Sequence, residues 1–329
     1  MGISQPTLFI MTLLFAFLRL IRWPNLLFIA FTQSLFYFFV VIDRFPVSWA
    51  AYWSEEKSYL FAMLVMSSVF IAAAGNIIND YFDMHIDAIN KPDKNIVDRI
   101  IKRRWAMVWH LLLSFLGIVF SIYISWQTGQ WTIAVANLLS VLLLWLYSTH
   151  FKRKLLSGNI IIAALSAWVV LVVYFFAGAH LFDFSGWHPN AYPFNIKRLF
   201  KITMFYSAFA FVISLIREVV KDIEDMHGDA AFGCRTMPIV WGIPVSKMFL
   251  AVWMVVCMAA LVIVQLYAWQ SGWWYVAIYS LLFMLLPLGL ILRDISKART
   301  VASYASLSRN MKVVMLLGIL SMIFFKLLP

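Results

Sequence analysis

The chain has 329 residues, of which 64% are hydrophobic and 12% charged, with a formal net charge of +11. Soluble domains carry about 45–50% apolar and about 25% charged residues, so water is excluded as the solvent for most of this surface. The positive charge lies in short loops between apolar runs, which encodes membrane topology, and no exposed basic–aromatic platform for nucleic acid is present. Two cysteines, Cys234 and Cys257, exclude a disulfide framework. The first eighteen residues lack the basic start and small-residue cleavage site of a signal peptide.

Crossing the hydrocarbon core takes about 20 apolar residues. Residues 7–21 read as an apolar helix at the interface, ahead of Arg22-Trp23-Pro24-Asn25. Nine spans follow, at about 24–42, 58–79, 105–126, 131–149, 159–180, 199–217, 248–269, 272–292 and 311–328. Lys326 interrupts the last, at a position from which a lysine snorkels to the interface. Residues 181–198 read as an outer-face loop. Of the 26 Lys and Arg, twenty fall on the N-terminal side and in the even-numbered loops, with Arg309 and Lys312 assigned to the eighth. The positive-inside rule then places the N-terminus in the cytoplasm and the C-terminus outside, in a multi-pass protein of the cell (inner) membrane. The expected architecture is all-α, one membrane domain over residues 1–329 with nine transmembrane helices around a central cavity.

Two segments echo each other. Residues 79–87 read Asn-Asp-Tyr-Phe-Asp-Met-His-Ile-Asp, and residues 221–229 read Lys-Asp-Ile-Glu-Asp-Met-His-Gly-Asp. Seven of the 15 acidic residues lie in these two windows, at the cytoplasmic ends of the second and sixth spans. Positions three and four apart share a helix face. Asn79, Asp83 and Asp87 therefore form one column with Asp80 on its flank, and Asp222, Asp225 and Asp229 form a second. Two facing carboxylate columns repel each other unless cations lie between them. Magnesium is held by one or two carboxylates together with substrate phosphates, and no Cys or His set has zinc spacing. The pattern predicts Mg²⁺ and a bound diphosphate. Arg22, Asn25, Lys91, Lys94, Tyr147, Lys152, Arg153 and Arg235 fall on the same predicted side and are candidate diphosphate contacts. His85 and His227 sit on adjacent faces and read as structural or hydrogen-bonding residues.

These residues resemble the UbiA superfamily of intramembrane prenyltransferases. Its first signature, Asn-x-x-x-Asp-x-x-x-Asp, matches Asn79, Asp83 and Asp87; its second, Asp-x-x-x-Asp, matches Asp225 and Asp229. Arg22 with Asn25, and Tyr147 with Lys152 and Arg153, match two further family motifs. Where many members have Asn-Arg-Pro after the first signature, this chain has Asp93-Lys94-Asn95, leaving Lys94 as the cationic substitute. The stretches 79–92, 152–159 and 217–225 look most like the lipid-ether branch.

The resemblance implies Mg²⁺-dependent transfer of a prenyl group from an isoprenyl diphosphate, geranylgeranyl diphosphate in that branch, to a (geranylgeranyl)glycerol-phosphate lipid in the bilayer. Asp83, Asp87, Asp225 and Asp229 would be the catalytic ligands, supported by Asn79, Asp80 and Asp222. Transfer to an aromatic acceptor, 4-hydroxybenzoate or a naphthoate, is the alternative within the superfamily. An ion or phosphate transporter is a third reading, disfavoured because transporter charges gather near the midplane.

Overall fold

The computed structural model describes residues 5–42, 55–90, 96–181 and 196–327. Lys91 and Lys94 fall outside the described residues, as does 182–195 of the expected outer loop. Among the described residues, nine helices are long and apolar enough to cross a membrane, and no strand forms beyond an isolated bridge between Val97 and Ile101. The protein is an integral membrane protein. Its described residues fall into two compact units, 1–30 with 49–152 and 31–48 with 153–329.

α1 (Gln5–Leu20) and residues 23–30 of α2 (Trp23–Val41) belong to the first unit, and the rest of α2 to the second; Pro24 sits in the first turn of α2, where its missing N–H costs nothing. The elbow between them places Arg22 at φ +52°. Asn76 Nδ2 donates to the Ile21 carbonyl at 2.9 Å and ties that elbow to α3 (Glu55–Asn90). The 36 residues of α3 make about 54 Å of helix at 1.5 Å per residue, far more than the ~30 Å hydrocarbon core. The expected second span ended near residue 79; the helix runs eleven residues further and carries all of the first acidic motif. Apolar length locates the membrane-crossing part, whereas the helix continues until Asn90, two residues before Pro92.

α4 (Arg103–Thr128) and α5 (Trp131–Thr149) pack on α3. Gly117 lets α3 and α4 approach closely: a Cβ there would lie 2.7 Å from Ile71 Cγ1. Ser67, Ser121 and Asn137 form a buried hydrogen-bonded set across the three helices, with Ser67 and Ser121 oxygens 2.7 Å apart and Asn137 Nδ2 donating to Ser121 Oγ at 2.8 Å. With no hydrophobic force between helices in lipid, small residues and polar contacts hold them together.

The second unit contains α6 (Ser157–Leu181), α7 (Ile196–Glu224), two short helices, α8 (Met226–Ala231) and α9 (Met237–Val240), then α10 (Gly242–Gln270), α11 (Trp274–Lys297) and α12 (Val301–Lys326). Its core joins Ile213, Ile216, Val220 and Ile223 of α7 to Leu250 and Met254 of α10, Leu288 of α11 and Met311 of α12. In α11 a π turn over Leu281–Leu285 precedes Pro287, which has no N–H to give to the helix.

Two expectations are corrected. The ninth span begins at Val301, where Thr300 and Ser303 form a capping box, rather than near residue 311; Arg309 and Lys312 are therefore helical, not loop residues. The second acidic column is also broken. α7 ends at Glu224, Asp225 adopts φ −92°, ψ 3°, and Asp229 lies on α8, although the Asp229 amide still reaches the Asp225 carbonyl at 3.2 Å.

Candidate active site

The two units are built separately, and each carries one acidic motif. In the first, the end of α3 presents Asn79, Asp80, Asp83 and Asp87. Arg22 Nη2 donates to Asp80 Oδ1 at 2.6 Å. Lys152, on the short 3₁₀ turn after α5, is ion-paired through Nζ to Asp83 Oδ2. Asp83 is buried. Tyr147 bears on both cations electrostatically, and Asp87 on Lys152. Five residues predicted for the site (Arg22, Asp80, Asp83, Tyr147 and Lys152) thus converge, and Asp87 joins them.

The Asp80 carboxylate holds the Arg22 guanidinium above its usual pKa, against a burial that works the other way. Burial acts to lower the Lys152 ammonium, but Asp83, with Tyr147 and Asp87 behind it, more than offsets this and leaves it raised. Both cations therefore stay charged across the physiological range. Asn25 is one turn from Arg22, its amide donating to the Arg22 carbonyl at 2.8 Å. Arg103 of α4 lies over the Tyr81 ring, 5.1 Å from its centroid.

In the second unit, Asn159 at the start of α6 donates through Nδ2 to Asp222 Oδ2 at 2.8 Å. Asp229 is buried on α8. The Arg235 amide donates to the Arg153 carbonyl at 2.8 Å, which brings the two predicted phosphate contacts together with their side chains exposed. Sequence reasoning missed three neighbours on α7. Arg217 Nη1 donates to Glu218 Oε1 at 2.7 Å, and Lys221 Nζ lies 3.6 Å from Glu218 Oε2. Their signal in the sequence was charge running straight on from an apolar span, where ionisable residues are costly and mark function. Asn159, a polar residue at a span's first turn, was the other miss. His85 and His227 are both exposed.

Among the described residues, no three His, Cys, Asp or Glu side chains gather closely enough to hold a metal ion. Asp80 and Asp83 instead turn to Arg22 and Lys152, whose charges compensate theirs. The donor chemistry nonetheless fits magnesium. All candidate donors are oxygens, as a hard cation requires. Asn79 Oδ1 is buried without a hydrogen-bond partner among the described residues, an acceptor left for a ligand to satisfy.

Comparison with known proteins bears on this arrangement. The profile of the UbiA prenyltransferase family matches residues 44–316. A digeranylgeranylglyceryl phosphate synthase from Methanoregula boonei is 33% identical over 226 residues, covering 68% of this chain and 72% of the relative. The protein of that name from Methanothermobacter thermautotrophicus is 31% identical over 265 residues, covering 78% and 82%. A solved structure described as digeranylgeranylglyceryl phosphate synthase in membranes shares the fold at TM-score 0.58 and 24% identity, covering 95% of this chain and 99% of the other. A UbiA homolog from Archaeoglobus fulgidus, bound to GPP and Mg²⁺, does so at TM-score 0.59 and 15% identity, covering 93% and 99%.

Proposed function

Because this chain belongs to the UbiA prenyltransferase family and is a prenyltransferase, we propose that it moves a geranylgeranyl group from its diphosphate to a glycerol-phosphate lipid in the bilayer, with Mg²⁺ at the diphosphate. Residues 1–329 act as one UbiA-type domain, with its N-terminus and site on the cytoplasmic side of the cell membrane and its C-terminus outside. The observation that carries this reading is the convergence of Arg22 and Lys152 on Asp80 and Asp83, beside the unsatisfied Asn79 Oδ1. The acceptor class follows the names of the relatives at 31% and 33% identity.

Asn79, Asp80, Asp83 and Asp87 of one motif, and Asp222, Asp225 and Asp229 of the other, are the residues that would hold the metal. Bound there, Mg²⁺ supplies Lewis-acid neutralisation of the charge that develops on the leaving diphosphate. Arg22 offers a planar fork and Lys152 a point charge to the phosphate oxygens, with Lys91, Lys94, Arg153 and Arg235 as further cations and Asn25 and Tyr147 as hydrogen-bond donors. The apolar spans exclude water from the allylic cation as the bond to diphosphate breaks. Aromatic side chains near it add cation–π attraction. The acceptor hydroxyl oxygen then captures the prenyl carbon and gives up its proton, while the diphosphate leaves with the electron pair of the broken C–O bond.

The test incubates purified protein with labelled geranylgeranyl diphosphate, Mg²⁺ and separate acceptors. Transfer to geranylgeranylglycerol phosphate supports the reading. Transfer only to 4-hydroxybenzoate or a naphthoate moves the protein to the quinone-type acceptors.

A further inference from the structure

The cluster of Arg217, Glu218 and Lys221 is not used by the donor-side chemistry above. On α7, Ser214, Glu218 and Lys221 follow one another at spacings of four and three, and Arg217 lies four residues before Lys221. Ile213, Ile216, Val220 and Ile223 of α7 are buried against α10, α11 and α12. Glu218 and Lys221 turn away from that core, and Arg217, one turn from both Ile213 and Val220, lies at its edge. Glu218 is only 7% exposed and carries two cations, Arg217 and Lys221. Arg217 spends Nη1 on Glu218 at 2.7 Å. Its Nε is buried with no hydrogen-bond partner among the described residues. An unsatisfied charged donor at this depth is costly, and the Nε–Nη2 edge is the geometry that binds a phosphate or carboxylate in a bidentate way.

We propose that Arg217 and Lys221 form the binding site for the anionic group of the prenyl acceptor, with Glu218 holding the two cations in place. The inference rests on the prenyl-transfer reading and extends it to the second substrate. Arg217 lies five residues before Asp222, about 7.5 Å of rise and about 140° of turn away, while Lys221 directly precedes Asp222 and is four residues before Asp225, so an anion shared by Arg217 and Lys221 is offset along α7 from a donor diphosphate at Asp222 and Asp225. That offset matches an acceptor whose hydroxyl must reach the prenyl carbon while its own charge stays clear of the diphosphate. Phosphate on a lipid alcohol and the carboxylate of an aromatic acceptor share this chemistry.

The experiment measures KM for donor and acceptor with wild type and Arg217→Gln, using geranylgeranylglycerol phosphate, its dephosphorylated alcohol and 4-hydroxybenzoate. Glu218 keeps Lys221 in the variant, so its buried carboxylate remains compensated. The expected result is an acceptor KM raised about ten- to a hundredfold, the range of a charge-assisted hydrogen bond, with donor KM within about twofold. Preference for the phosphorylated acceptor over its alcohol falls by the same factor. Arg217→Lys restores part of it, and Lys221→Gln reproduces the loss in weaker form. If 4-hydroxybenzoate is the acceptor used, its KM rises likewise and the carboxylate is the anion. The inference is overturned if both variants keep the wild-type preference, or if donor and acceptor KM rise together. Absence of transfer to any acceptor by wild type would instead overturn the prenyl-transfer reading itself.

Discussion

Lys152 and Asp83 form an ion pair between the end of α5 and the end of α3. One was expected on phosphate and the other on metal, and the fold brings them together with the lysine a quarter exposed and the carboxylate almost fully buried. Removing the carboxylate strands the lysine. Asp83→Ala is therefore expected to lose on the order of 2–4 kcal/mol of stability as well as turnover. Asp83→Asn keeps a hydrogen-bond acceptor for Lys152 and loses chiefly turnover. Thermal unfolding in detergent, run beside the transfer assay, separates the two effects.

Arg22 holds a left-handed backbone conformation, φ +52°, that costs a side-chain-bearing residue about 1–2 kcal/mol. Its pair with Asp80 is partly exposed and contributes at most about 1 kcal/mol. Arg22→Gly relieves the first and loses the second, so stability should stay within about 1 kcal/mol of wild type. Activity should still fall, through a rise of about tenfold in donor KM. A change in Tm without a change in KM would assign Arg22 to the elbow alone.

Gly117 marks a contact at which α3 and α4 have no room. A methyl group there meets Ile71 Cγ1 at 2.7 Å and the Ser67 carbonyl oxygen at 3.2 Å. Gly117→Ala should destabilise by about 1–3 kcal/mol, read as a lower Tm in detergent. KM values should be unchanged at temperatures where the protein remains folded.

Chelation supplies a fourth expectation. Among the described residues the helices are held by apolar cores and polar interhelical contacts, without a metal cluster. EDTA should abolish transfer while the helical circular dichroism stays the same, and added Mg²⁺ should restore it.

Much of this was legible in the sequence, for identifiable reasons. Span existence follows from apolar length alone, so each of the nine among the described residues was expected. Span ends do not: the helix through Asn79–Asn90 and the first turns after Thr300 are polar, yet helical. The Asp motifs were visible because carboxylates are scarce in this chain and repeat at helical spacing. The break at Asp225 was not, because Ile-Glu-Asp-Met-His carries no glycine or proline to signal it. Arg22 reaching Asp80 and Asn159 reaching Asp222 are contacts between residues 58 and 63 positions apart, and only the folded chain pairs them. Arg217 and Glu218 passed as ordinary members of a motif until their burial was seen.

The measurement that bears most directly on the central claim is Mg²⁺-dependent transfer of labelled geranylgeranyl to geranylgeranylglycerol phosphate by the purified full chain, with Asp83→Asn and Asp225→Asn assayed alongside. The account predicts labelled lipid product and one diphosphate released per transfer, both only with Mg²⁺. It predicts a loss of about a hundredfold or more in each variant, with detergent Tm within a few degrees of wild type. Near-wild-type turnover in either variant, or transfer that persists in EDTA, would contradict it.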